Sequence, residues 1–119
     1  MLSTVLIVVT LGHADAPHVA FTRADDMEAC ATRAEVLTGV LRDAGYRIGA
    51  QRCIETELGF APYDHGATAY PHAYRLTVPA DPAALATIEP LADLSACTPD
   101  EDADPAVWCA VSAQGTLAE

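Results

Sequence analysis

Leu2-Ser3-Thr4-Val5-Leu6-Ile7-Val8-Val9-Thr10-Leu11, closed by Gly12, is the stretch on which the fold turns. It is largely apolar on both faces and rich in β-branched residues, the pattern of an inner strand covered on both sides. As a helix it is too short for a bilayer, which needs about 20 residues. The alternative is a signal segment over residues 1–16. Gly12-His13-Ala14 and Ala14-Asp15-Ala16 put small residues where a signal peptidase cuts. No positive side chain precedes the run, and Pro17 follows the second candidate cut. A retained inner strand over residues 5–9 is therefore the reading adopted.

Outward from that strand, the chain reads as one small domain over residues 1–119, with a frayed tail over 115–119. Asp25 is positioned to cap a helix, with Glu28 reaching back to it. Met27, Cys30, Ala34, Leu37, Leu41 and Ala44 recur at three and four to form its apolar stripe, and Gly45 ends it. A strand is expected over 46–56, with Tyr46, Ile48, Ala50 and Ile54 on one face and Cys53 on the other. Gly49 is the natural place for a bulge that changes this register. A loop over 59–71 leads to a strand over 74–78, expected to pair with the 46–56 strand. Asp81-Pro82 opens a second helix whose apolar face is Ala84, Leu85, Ile88, Leu91 and Ala92. A last strand covers 106–113. The order βαββαβ predicts an α+β two-layer sandwich of ferredoxin-like type, an antiparallel sheet with two helices on one face.

Composition narrows the function. Half of the residues (51%) are apolar, which excludes a disordered chain, and 6 basic against 17 acidic residues give a net charge of −11. So acidic a surface repels phosphate backbones, which argues against nucleic acid as a partner. Every basic residue is arginine, and lysine and asparagine are both missing from the chain. Schiff-base lysines, phosphate-loop lysines and a Cys-His-Asn protease are thereby excluded. No stretch is long enough to span a membrane, and no motif calls for a cofactor or for catalytic residues.

Cys30, Cys53, Cys97 and Cys109 contain no Cys-x-x-Cys pair, so zinc-ribbon and thioredoxin-like sites lack support. Two local disulfides, Cys30 with Cys53 and Cys97 with Cys109, are the sharper expectation, and they place the protein in a virion or an extracytoplasmic space such as the periplasm. His13, Asp15, His18, His65 and His72 are weak metal candidates on two loops. Asp100-x-Asp102-x-Asp104 opens like a calcium loop, but Pro105 and Val111 stand where its glycine and glutamate belong. The long loop holds Phe60, Tyr63, Asp64, His65, Tyr70 and His72, with Tyr63 and Tyr70 the candidate anchors of a protein contact. Its aromatics have a second use as a cover for the open face of the sheet.

These readings favour a non-enzymatic structural or accessory module, bound to other protein subunits in a larger assembly or to copies of itself. A small periplasmic metal- or ligand-binding protein is the alternative. An acidic inhibitor of a basic protein is the third, on charge alone.

Overall fold

A computed structural model describes residues 2–12, 16–62 and 69–117. The elements are β1 (Ser3–Leu11), β2 (His18–Ala24), α1 (Met27–Asp43), β3 (Arg47–Thr56), β4 (His72–Val78), β5 (Thr87–Leu91) and β6 (Ala106–Ser112), with a 3-10 turn at Leu94–Ala96. They build one six-stranded mixed sheet, ordered β3-β1-β2-β6-β4-β5, curled into a half-barrel. This replaces the expected ferredoxin-like sandwich: among the described residues there is one α-helix, and six strands take part.

The first strand is where the sequence places it. β1 lies between β2 and β3, antiparallel to both. Val5, Ile7 and Val9 point into the hollow of the half-barrel, joining Val19, Phe21, Ile54, Tyr74, Leu76, Trp108 and Ala110. Leu6 and Val8 point outward to Cys30, beneath the Leu37 and Leu41 side of α1. An apolar residue at every position is what two covered faces require.

Two elements differ from expectation. Residues 18–24 form β2, whose alternation of Val19 and Phe21 inward with Ala20 and Thr22 outward is a half-buried strand's pattern. The expected second helix is instead a turn, with the Ala84 N–H donating to Asp81 O at 3.0 Å, followed by β5. Pro90 leaves too little room for a helix beyond that turn, and it is tolerated in β5 because β5 is an edge strand. As a result β4 pairs with β5 and β6, and the expected pairing with β3 does not form.

Smaller features follow the local chemistry. Asp26 caps α1, one position after the expected Asp25, its carboxylate accepting from the Ala29 N–H at 2.7 Å. Gly45 ends the helix at φ +89°, the left-handed conformation that glycine tolerates. The β1–β3 register slips at Gly49: Ala50 faces Val9 while Ile48 faces Thr10. Ile48 is thereby turned to the helix side, and Ala50 to the inner core. A Cβ on Gly49 would meet the Trp108 ring at 2.7 Å, so the bulge also makes room for the indole.

Cys53 shares the outer face with Leu6 and meets α1, forming the Cys30–Cys53 disulfide with a Cα–Cα distance of 6.1 Å. Cys97–Cys109 ties the segment after β5 to the outer face of β6, at 5.8 Å. Both pairings are the expected ones.

Candidate functional site

The long loop is fastened at both described ends. Phe60 stacks on Phe21, ring centroids 3.9 Å apart, and meets Tyr74 edge-on at 6.0 Å. It covers the inner core, the second use foreseen for the loop aromatics. Tyr70 lies edge-on to His18, 4.8 Å between centroids, and His18 is buried on the outer face of β2. The ring of His72 packs on Gly115. His18 and His72 lie on opposite faces of the sheet, because Val111 is paired with His18 and with Ala73, the neighbour of His72. Tyr63, Asp64, His65, His13 and Asp15 lie outside the described residues. Among the described residues no three His, Cys, Asp or Glu side chains come together to hold a metal.

Gln114 supports this loop from below. Its carboxamide accepts from the Phe21 N–H at 2.9 Å and donates to the carbonyls of Phe21 and Ala61, both at 2.8 Å. The Tyr74 hydroxyl donates to Gln114 O at 2.6 Å, and burial pushes its pKa up to about 12. Residues 115–117, the start of the expected frayed tail, pair with the 59–61 segment, Ala61 N–H to Gly115 O and Leu117 N–H to Gly59 O.

A surface outside the loop has more room for an occupant. The sheet takes up the Cys30, Leu37 and Leu41 side of α1, but the apolar arc of the helix extends past it to Val36 and Val40, 64% and 58% exposed. Between this flank and the outer face of β2 lies a cleft of 540 Å³. Its floor is Val8, Thr10, His18 and Ala20, its wall Leu37, Val40 and Leu41, and Tyr46 and Arg33 stand at its rim. No family model matches this chain, and neither does any curated protein or solved structure. The site is therefore read from its own chemistry. Thr10 and His18 are buried polar residues on an otherwise apolar floor.

The sequence did carry a sign of this flank. Val36 and Val40 are apolar yet lie off the three-and-four stripe, among Arg33, Glu35, Arg42 and Asp43. Two valines there have no use in an isolated amphipathic helix.

Proposed function

We propose that the protein is a non-enzymatic accessory module that acts by contacting another protein in a larger assembly, in a virion or an extracytoplasmic space. The exposed valine flank of α1 beside an open apolar cleft is the observation that carries the reading. Large side chains left in water at the rim of a cleft gain about 25 cal/mol per Å² when a partner covers them. The partner that fits is basic, because the chain carries −11 and attracts positive surfaces over a Debye length. Two disulfides favour a compartment outside a reducing cytosol. A small ligand-binding protein is the second reading, favoured by the 540 Å³ of the cleft, well inside the range of ligand pockets.

Site-specific photo-crosslinking in the producing cells tests the proposal. A photoreactive residue at Val36 or Val40 is expected to capture one basic protein, less efficiently at high salt. The same residue at Glu35, on the opposite flank, is expected to capture none. Lack of any adduct at 36 and 40, or equal capture at 35, overturns it. An adduct with a second copy of the chain would replace the basic partner by a homo-oligomer.

A further inference from the structure

The sheet is incomplete at one place. β2 meets β6 only through His18 and Val111, after which the strands part. Beyond that pair, at Phe21, the neighbour of β2 is the side chain of Gln114. A carboxamide has the donor and acceptor of a peptide group, and this one bonds the N–H and the C=O of Phe21 as an adjacent strand would. The N–H and C=O of Phe21 thus point away from β1. The β1–β2 register is regular from Thr4 with Ala24 to Thr10 with His18, so the N–H and C=O of Arg23 point the same way. Among the described residues neither has a partner. Beside them opens a slot of 330 Å³, walled by Val5, Phe21, Leu58, Phe60 and Leu117.

We infer that this slot accepts an extended peptide segment of a partner protein, which adds beside β2 in continuation of the line marked by Gln114. The main chain of the segment bonds to the N–H and C=O of Arg23, and one aliphatic side chain fills the slot, the pattern of strand addition to an open edge. Charge selects the sequence. Asp25 and Asp26 follow β2, and Glu55 and Glu57 lie at the neighbouring end of β3, which pairs Ser3 with Thr56; Arg23 is the cation among them. Basic residues flanking the aliphatic one complement that end of the sheet. The slot is separate from the α1 flank, so either surface can fail without the other.

The test uses the full chain and three capped heptapeptides: alternating arginine and valine, alternating glutamate and valine, and the arginine peptide N-methylated along one edge. In two-dimensional NMR the arginine peptide is expected to shift the amides of residues 21–24 and 59–61. The glutamate peptide should bind at least tenfold more weakly, and the N-methylated peptide not at all. Arg23→Pro removes the outward N–H without touching the ladder to β1 and should abolish binding, whereas Arg23→Ala should retain it. If Arg23→Pro fails to fold, the N-methylated peptide decides alone. No shifts at millimolar arginine peptide, shifts elsewhere, or equal binding of the N-methylated peptide overturn the inference.

Discussion

Gln114 shows how much one side chain holds together in this protein. Replacing it with alanine strands the N–H and C=O of Phe21 in a buried place, where each such group costs about 1–3 kcal/mol, and frees the half-buried carbonyl of Ala61 to water. We expect Gln114→Ala to lower stability by about 2–4 kcal/mol in urea melts, with hydrogen exchange at the Phe21 amide rising most. No loss of stability would mean that water or the tail replaces the carboxamide. Above it, the Tyr74 hydroxyl donates to Gln114 O, and the folded pKa near 12 exceeds the ordinary value of 10. The unfolded chain therefore loses this proton first, near pH 10, while the folded chain keeps it until about 12. Stability must fall as pH rises through that window. Tyr74→Phe should cost about 1 kcal/mol at pH 7 from the lost hydrogen bond. At pH 11 the gap to the parent should narrow, and an unchanged gap would contradict the shift. None of this is legible in the sequence. The Gln114–Phe21 bond joins residues 93 positions apart, and nothing around a glutamine between the last strand and the expected tail points to that partner.

At the scale of elements, what the sequence disclosed divides along one line: whether an element's pattern is set by its own residues or by its neighbours. β1, α1, β6 and the Gly49 bulge are set locally, by two covered faces, a cap with a stripe, a short apolar run and a glycine in a strand. β2 and β5 are not. Residues 18–24 sit between a turn and a helix cap, and their alternation is only seven residues long. In β5 the spacing of Leu85, Ile88 and Leu91 fits a helix, but the open edge beside β4 and the proline at 90 settle it as a strand. The two disulfides belong to this scale as well. Cys97–Cys109 closes a segment of largely exposed polar residues, in which Asp100 and Val107 exchange backbone hydrogen bonds at 2.9 Å. A loop of that length is worth about 3 kcal/mol in the chain-entropy model. The double variant Cys97→Ala with Cys109→Ala should lose about that much, and residues 98–105 should exchange faster than the core. Uniform loss of protection across all strands would show that the bond holds the whole sheet. At Gly49 an added methyl meets the Trp108 ring, so Gly49→Ala should cost about 1–3 kcal/mol, read as a lower melting temperature.

The whole molecule is two three-stranded halves, β3-β1-β2 and β6-β4-β5, curled around one inner core. Each disulfide lies within a half: Cys30–Cys53 binds α1 to β3, and Cys97–Cys109 binds the 97 segment to β6. Neither joins the two halves, which meet at β2 and β6 through the His18–Val111 pair and Gln114, and at their outer margins through Arg52 of β3 donating to the carbonyls of Pro79, Asp81 and Ala84. Integrity therefore depends on the core, and the core depends on β1. Val5, Leu6, Ile7, Val8 and Val9 are all 4% exposed or less and feed both the inner core and the helix side. At about 1.5–3 kcal/mol for each buried aliphatic side chain, β1 contributes on the order of 10 kcal/mol. That matches the whole net stability of an ordinary domain, about 5–15 kcal/mol. A chain beginning at Pro17 would also leave β2 and β3 with no strand between them, each with an open ladder. We expect the 17–119 fragment to show no cooperative thermal transition and to expose apolar surface to a hydrophobic dye. Added peptide 2–12 should restore the transition, because the strand would be supplied from outside. For the same reason, intact mass of the protein from its native compartment should show residues 5–9 retained. A 17–119 fragment that unfolds cooperatively with both disulfides formed would overturn this, and would return the first segment to the role of a signal removed before folding.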